Sequence, residues 1–152
     1  MSGFCRLKIR GKRGTKISLS YGELLKNDGR LEQGNVNVYY HPVKPDEKFQ
    51  TDTYILKGEG VEVFQPSFTY HGFQYVEVEA SEKVDIDKSS LTALFLHTDL
   101  QPVGKFECSS PLLNKIWDAT IQTYLSNIHS IPTDCPQREK NGWTADAHIA
   151  ID

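Results

Sequence analysis

The stretch from Ser130 to Asp146 concentrates the side chains in this sequence that could carry chemistry. It contains three carboxylates, one guanidinium, one amide and one indole, which belong to Asp134, Glu139, Asp146, Arg138, Gln137 and Trp143. Two prolines four residues apart, with a glycine beyond them, predict an ordered loop rather than a helix. Carboxylates that bridge pairs of hydroxyls, beside an aromatic plate, form a carbohydrate site. A glycoside hydrolase also needs one carboxyl that stays protonated for the leaving oxygen.

A second interpretation of this loop stays open at the level of composition. Polar loops of this kind often serve only as solvated connections between helices. Arg138 beside Glu139 is also consistent with a surface ion pair worth under about 1 kcal/mol. Trp143 is equally consistent with a core residue whose indole N–H is satisfied.

Before the loop, the spacing of apolar residues has two different periods in two parts of the chain. From Phe4 to about Phe106 apolar residues recur at every second position, with turn residues between the runs, which predicts a mainly β fold: an antiparallel β-sandwich. We expect a half-buried hairpin over residues 5–21 that turns at 11–14, and a second hairpin that turns at 58–60. Further short strands are predicted over 36–40 and 94–96. The segment 73–78 should be a central strand with both faces covered.

The period changes at Cys108. Ser110 and Pro111 are typical of a helix start, with a hydroxyl cap followed by proline at the first helical position. Apolar residues spaced three and four apart then predict one long amphipathic helix of about five turns that ends near His129. We therefore expect a sandwich domain over 1–105 and a helical region over 106–152, with the boundary near Gly104. The segment after Trp143 is a predicted second helix, and both ends of the chain have the pattern of an excised piece.

The composition excludes several classes of protein. The 152 residues are 38% hydrophobic and 24% charged, with a net charge of −3, so the chain can bury a core and is not a candidate for disorder. Mixed charges and the lack of any apolar run near 18 residues make nucleic acid and membrane unexpected partners. The three cysteines have no metal-binding spacing, which predicts reduced thiols, no metal site and no cofactor. A cytoplasmic and a periplasmic location are both compatible with the sequence.

The segment from Ile131 to Asp146 resembles the signature loop of the bacterial α-L-rhamnosidases of glycoside hydrolase family 78. Residues 51–60 and 68–78 are similar to parts of that family's sandwich domain, which is concanavalin-like or jelly-roll-like. Residues 106–117 are similar to the start of its (α/α)6 barrel. The similarity therefore follows nearly the whole chain in the order that the family uses.

This resemblance implies hydrolysis of terminal α-L-rhamnose from a rhamnose-containing oligosaccharide or glycoside, with inversion at the anomeric carbon. In the family the glutamate matching Glu139 is the general acid, and the tryptophan matching Trp143 lines the pocket. The residues matching Asp134, Arg138 and Asp146 hold sugar hydroxyls. Ala145 stands where the family commonly has glycine, so its methyl group bears on the positioning of Asp146.

An inverting enzyme also needs a general base, and the resemblance implies a glutamate late in the barrel, beyond Asp152. We therefore expect the 152-residue chain alone to be inactive. A truncated (α/α)6 barrel would expose the apolar stripe of its first helix, unless the helix folds back on the sandwich or pairs with a second copy.

A non-catalytic carbohydrate-binding or structural β-sandwich module is the alternative function. In the binding version, strand aromatics would form a sugar platform, and the candidates are Tyr39, Tyr40, Tyr54, Phe64, Phe68, Tyr70, Phe73 and Tyr75. Aromatics at strand spacing are more often core residues or cross-strand partners, which favours the structural version. His71 and His97 are predicted to be structural as well.

Overall fold

The computed structural model describes residues 1–38, 40 and 47–149, without the side chains of residues 144, 146 and 149. The predicted antiparallel β-sandwich followed by one long helix is confirmed. The strands are β1 (Ser2–Arg10), β2 (Lys16–Gly22), β3 (Leu24–Leu25), β4 (Leu31–Glu32), β5 (Thr51–Ile55), β6 (Val61–Phe64), β7 (His71–Gly72), β8 (Tyr75–Ala80), β9 (Leu91–Phe95), β10 (Ile128–His129) and β11 (Ile131–Pro132). The helices are α1 (Gly34–Asn37), α2 (Pro111–Ser126) and α3 (Thr144–Ile149).

Two main sheets form the sandwich. In the first, β1 pairs antiparallel with β6 and β7 along one edge and with β9 along the other. In the second, β2 pairs antiparallel with β5 on one side and β8 on the other. The central strands β1 and β2 therefore lie in opposite sheets, and the buried sides of the two sheets form the core between them.

The core comes from the alternating apolar residues of the two central strands. Its buried members are Cys5, Leu7, Ile9, Ile17, Leu19, Tyr21, Leu56 and Phe73, each at most 4% exposed. Burying an aliphatic or aromatic side chain of this size contributes roughly 1.5–3 kcal/mol. The outward positions of β1 are Arg6, Lys8 and Arg10, which remain exposed. The burial that the period predicts is therefore confirmed for both strands.

The predicted strand pairings were wrong in two places. Residues 5–9 and 17–21 do not form a hairpin, because their connection crosses from one sheet to the other. The turn at 58–60 likewise joins β5 of the second sheet to β6 of the first. Alternation reports only that one face of a strand is buried, and strands in facing sheets bury their inner faces in the same way as hairpin partners do.

Two further strand predictions were also wrong. Residues 36–38 form the end of helix α1 and the turn after it, and not a strand. Val36 is buried. Position 39 and the two prolines at 42 and 45 lie outside the described residues. Strand β8 is an edge strand that pairs only with β2 among the described residues, and both of its ends are exposed. The strand predicted over 94–96 is confirmed in part, since β9 ends at Phe95.

Helix α2 starts at the predicted proline and ends three residues before the predicted end. Ser110 occupies the cap position with extended backbone, but its hydroxyl makes no cap hydrogen bond. The amide of Asn114 instead joins the first turns of the helix to the segment before it, because it accepts from the Cys108 N–H at 3.0 Å and donates to the Cys108 carbonyl at 2.9 Å. No residue of α2 is buried, and most of its apolar stripe faces outward, with Trp117 and Tyr124 half-buried. Across the described ranges, no helix has the length and apolarity to span a membrane.

A buried polar network fixes β7 against the sandwich core. The Tyr21 hydroxyl donates to one Asp52 carboxylate oxygen at 2.9 Å and accepts from the Cys5 N–H at 3.1 Å. The other Asp52 oxygen lies 3.0 Å from Nε2 of His71, whose ring stacks on Tyr21 at 4.1 Å. His71 is 5% exposed, and its contacts agree with the structural role predicted for it. Tyr70 and Gly72 flank His71 in the chain, so the network places them at the end of the sandwich that contacts the polar loop.

Candidate active site

The polar loop begins with a tight reversal directly after α2. Strands β10 and β11 form a minimal hairpin whose turn residue, Ser130, has a φ of 70°. Thr133 then closes the reversal, because its N–H and its hydroxyl both donate to the Asn127 carbonyl, at 2.7 and 3.0 Å. The end of the helix and the start of the loop are therefore one rigid unit, and Asp134 follows it immediately.

A second clamp closes the loop on itself. The Asp134 N–H donates to the Asn141 carbonyl at 3.0 Å, and the Asn141 N–H donates to an Asp134 carboxylate oxygen at 3.0 Å. The turn at residues 136–139 lies between these two points. Pro136 fits this turn because its fixed φ favours a reversal. The loop therefore returns Glu139 to the side of Asp134.

A side-chain hydrogen bond between Glu139 and Asp134 couples the pKa values of the two carboxyl groups. This hydrogen bond is the largest cause that raises the pKa of Glu139, followed by desolvation and by the charge of Asp134; the charge of Arg138 acts in the opposite direction. For Asp134, partial burial raises the pKa, but hydrogen bonds from Glu139, Asn141 and Cys135 together outweigh it and lower the pKa. The two pKa values are therefore shifted apart, upward for Glu139 and downward for Asp134, as expected of coupled carboxyls.

The structure brings together only some of the predicted site residues. Arg138 is half-buried and close enough to Glu139 to lower its pKa. Trp143 is 53% exposed at the start of α3, so the indole is not a core residue within the described part of the chain. Asp146 belongs to α3, but its side chain lies outside the described residues. Ala145 has helical backbone, where a methyl group is favourable, so replacing glycine strains nothing locally.

Sequence reasoning placed Tyr70 among the candidates for a sugar platform and missed its contacts with the loop. The Tyr70 ring stacks on His129 with centroids 3.9 Å apart, and its hydroxyl hydrogen-bonds the Thr133 side chain. The Tyr70 carbonyl accepts a hydrogen bond from Lys140 Nζ at 2.7 Å. A single sandwich residue therefore contacts the start, the middle and the end of the loop. The only sequence signal was its place in a segment that resembles the family, because an isolated tyrosine has no chemical signature.

Two more contacts join the sandwich to the loop. Gly72 lies against the loop backbone so closely that an added Cβ would be 2.7 Å from the backbone nitrogen of Gln137. The Gln137 amide donates to the Glu23 carboxylate at 3.2 Å. Gln137 therefore serves to dock the loop on the sandwich, and glycine is required at position 72 for the approach.

The segment after β9 provides the third attachment. The Thr98 N–H donates to the Ile128 carbonyl at 2.9 Å, and its hydroxyl accepts from the Ser130 N–H at 2.7 Å. Nε2 of His129 lies 3.1 Å from the Leu96 carbonyl oxygen. Burial lowers the pKa of His129, which favours the neutral imidazole at this contact. The small hairpin β10–β11 is thus bonded to the sandwich at consecutive residues.

An open hollow of about 480 Å³ lies beside Asp134. One face of α2 and the residues Pro132 and Thr133 form its walls. The neighbouring apolar residues of α2 are exposed to water, and these are Leu112, Leu113, Ile116 and Ile121. The acidic pair therefore lies at the border between the sandwich and an uncovered helical surface.

The sequence matches two protein families in succession. Residues 1–97 match the bacterial alpha-L-rhamnosidase concanavalin-like domain, and residues 101–152 match the bacterial alpha-L-rhamnosidase 6 hairpin glycosidase domain. An alpha-L-rhamnosidase of Formosa agariphila is 37% identical over 150 residues, which are 97% of this chain and 15% of that protein. An alpha-L-rhamnosidase of Streptomyces avermitilis is 36% identical over 150 residues, which are 98% of this chain and 14% of that protein.

Solved structures give the same result for the fold. The alpha-L-rhamnosidase of Dictyoglumus thermophilum matches with a TM-score of 0.82 and 38% identity, over 99% of this chain and 16% of that one. The Streptomyces avermitilis alpha-L-rhamnosidase complexed with L-rhamnose matches with a TM-score of 0.77 and 36% identity, over 96% of this chain and 13% of that one. The chain thus spans about one sixth or less of the length of the proteins that it matches. With its sandwich matched to one rhamnosidase domain and its acidic loop to the next, the chain belongs to the bacterial α-L-rhamnosidase family of glycoside hydrolases.

Proposed function

We propose that this chain supplies the acid half of an inverting α-L-rhamnosidase, with Glu139 as general acid. The observation that carries the proposal is the loop closure that brings Glu139 to Asp134, where a side-chain hydrogen bond between them raises the pKa of Glu139. A general acid must hold its proton at the working pH and release it as charge develops on the leaving oxygen. In this proposal Asp134, Arg138 and Asp146 hold sugar hydroxyls and Trp143 forms a wall of the pocket.

The substrate is a glycoside that ends in α-L-rhamnose. Proton transfer from Glu139 to the glycosidic oxygen accompanies cleavage of the bond between that oxygen and the anomeric carbon. A water molecule attacks the opposite face of the sugar and gives its proton to a second carboxylate, so β-L-rhamnose and the free alcohol are released. The names of the relatives, one of them solved with L-rhamnose, support this choice of sugar.

The general base is proposed to lie outside these 152 residues. Inverting glycosidases hold their two carboxyl groups roughly 6.5–9.5 Å apart so that the water fits between them. Asp134 is in direct hydrogen-bond contact with Glu139, so no water fits between the two groups. A glutamate from a later part of the helical domain is the proposed base, and the chain by itself is proposed to be inactive.

The uncovered face of α2 supports a continuation by further helices. Its exposed apolar residues include Leu113 at 49% and Ile116 at 53% exposure. A stripe of this kind is normally covered by another protein element. We propose that later barrel helices cover it in the complete enzyme and that a second copy covers it when the 152 residues are studied alone. Light scattering that finds a monomer across the micromolar range would exclude self-pairing.

The aromatic residues of the sandwich support a bracing role rather than a sugar platform. Tyr54 stacks on Phe64 at 4.7 Å, Tyr40 stacks on Phe49 at 4.9 Å, and Phe73 is buried in the core. Each of these rings already packs against a protein partner, which favours the structural role. Of the other candidates, Phe68 is fully exposed and Tyr39 lies outside the described residues.

The test compares the chain with a longer protein that continues it through a complete helical domain. We expect the longer protein to release p-nitrophenol from the aryl α-L-rhamnoside and the 152-residue chain to release none. Proton NMR during the first turnovers should show the β-anomer of rhamnose before mutarotation. First appearance of the α-anomer would refute inversion, and turnover by the short chain would refute the missing base.

The role of Glu139 is tested in the longer protein with Glu139→Gln. Loss of the acid should reduce kcat on natural rhamnosides by about 10²–10⁴-fold, since this is the usual contribution of a general acid. Glu82→Gln is the matched control, because Glu82 is an exposed carboxylate on the sandwich. Near-normal turnover by the Glu139→Gln protein would rule out the acid role.

A further inference from the structure

Lys140 follows the proposed acid in the sequence, and its side chain enters the sandwich. Its backbone has a φ of 54°, a left-handed conformation that is uncommon outside glycine and asparagine. Its ammonium group donates to the Tyr70 carbonyl at 2.7 Å. The same nitrogen lies 4.6 Å from the centre of the Tyr70 ring and 5.7 Å from that of Phe49. These are cation–π distances, so a carbonyl and two rings together form a cage for the cation.

The cage surrounds a positive charge whose partial burial disfavours the protonated form. Desolvation lowers the pKa of Lys140 to about 8, and the negative charge of Asp52 only partly opposes the effect. An apolar side chain of similar length would fill the same space with no charge to bury. A buried cation that costs stability is therefore a candidate for a role in which its position matters.

The position of Lys140 fixes the geometry of the acidic pair. Glu139 precedes it and contacts Asp134, and Asn141 follows it and is bonded twice to Asp134. The anchored lysine is thus the middle residue of a three-residue segment whose two neighbours both contact Asp134. Its left-handed backbone allows the Lys140 side chain to enter the sandwich while that of Glu139 stays with Asp134.

We propose that Lys140 is a positioning residue that holds the Glu139 carboxyl at the glycosidic oxygen, and that Tyr70 and Phe49 thereby make the sandwich part of the catalytic apparatus. This inference rests on the proposed function of Glu139. Lys140 touches neither the substrate nor the acidic pair in this arrangement. It acts through the backbone that it shares with Glu139.

The test uses the different need of leaving groups for a proton. A 2,4-dinitrophenolate leaves without protonation, whereas an unsubstituted phenol leaves much faster when an acid protonates it. In the longer enzyme, Lys140→Met should reduce kcat/KM for phenyl α-L-rhamnoside by about 10–10²-fold, the usual effect of misplacing a catalytic group. The reduction for the dinitrophenyl glycoside should stay below about 3-fold, since only acid-dependent steps are affected. Lys12→Met, at an exposed lysine in a sandwich turn, should leave both rates unchanged.

Equal losses on the two substrates, or no loss on either, would overturn the proposal. Glu139→Gln is measured in parallel, and its own loss must depend on the leaving group if Glu139 is the acid. A Glu139→Gln protein without that dependence refutes the proposed function, whereas selectivity in Glu139→Gln but not in Lys140→Met refutes only the positioning role. If Lys140→Met does not fold, Phe49→Leu removes one ring of the cage and should show the same selective loss to a smaller degree. Equal losses in that variant would overturn the proposal too.

Discussion

Gly72→Ala tests whether the candidate site is held in place by its contact with the sandwich. An added Cβ would lie 2.7 Å from the Cβ and the backbone nitrogen of Gln137 and 2.8 Å from the carbonyl carbon of Pro136. Ordinary Cβ contacts begin at 3.4 Å, so one side must move by about 0.7 Å. Strand β7 is fixed, because Gln50 bonds both the N–H and the carbonyl of Gly72, at 3.2 and 2.9 Å. The loop therefore has to move away from the sandwich.

The size of the effect follows from this displacement. Overpacking of one carbon against a well-packed backbone costs about 1–3 kcal/mol. For a protein of this size each kcal/mol lowers the Tm by roughly 2–4 °C, so we expect a decrease of about 2–12 °C. In the proposed complete enzyme, a shift of this order at the acid reduces kcat by up to about 10²-fold.

Thermal unfolding and amide hydrogen exchange of the 152-residue chain measure the effect. The N–H groups of Asp134 and Asn141, which clamp the loop, should exchange faster, while those paired between β1 and β9 should be unchanged. Gly104→Ala is the control, because nothing lies within 4 Å of the added methyl group. Neither glycine has a positive φ, so the comparison tests space alone. An unchanged Tm together with unchanged exchange at the clamp would refute the docking of the loop on Gly72.

Three further predictions follow from the charges. Asp134→Asn should lower the pKa of Glu139 towards 4.5, because the hydrogen bond with Asp134 is the largest cause of its elevation. A carbon-13 titration that leaves the pKa of Glu139 unchanged would contradict this coupling. Between pH 8 and 10.5 the free energy of unfolding should rise more in the wild-type chain than in Lys140→Met, by at most roughly 3 kcal/mol. The reason is that the folded state releases the lysine proton at a lower pH than the unfolded state does. An equal change in the free energy of unfolding of the two proteins would contradict the burial of the cation. Hydrogen bonds from Lys57, Tyr54 and Gly58 lower the pKa of Glu62 and outweigh the effect of its burial. Glu62 therefore stabilises the folded state above pH 4.5, and this contribution disappears as the pH falls through the folded pKa. Glu62→Gln should therefore flatten the acid side of the stability profile, and an unaltered profile would show that these bonds do not depend on the charge.

The buried faces of the strands and the start of the long helix could be predicted from the amino-acid pattern alone. Leu7 and Ile9 in β1, and Ile17 and Leu19 in β2, are buried as their alternation predicts, because each strand has one face against the core whatever its partner. Pro111 begins α2 because proline fits the first turn of a helix and no later one. The carboxylates of the loop could also be picked out from residue types alone. These features depend on the backbone geometry of neighbouring residues, which can be read from a short stretch of sequence.

The partners of the strands and of the charged side chains could be read only from the folded chain. Strands β1 and β2 look like a hairpin in the sequence but lie in opposite sheets, because period-two burial is the same in both arrangements. The raised pKa of Glu139 depends on a loop closure that returns it to Asp134, and the cage of Lys140 depends on Tyr70, which lies 70 positions earlier in the chain. Local patterns contain no information on such distant contacts, since a pKa and a cation's partner are set by the groups that folding brings within a few ångströms.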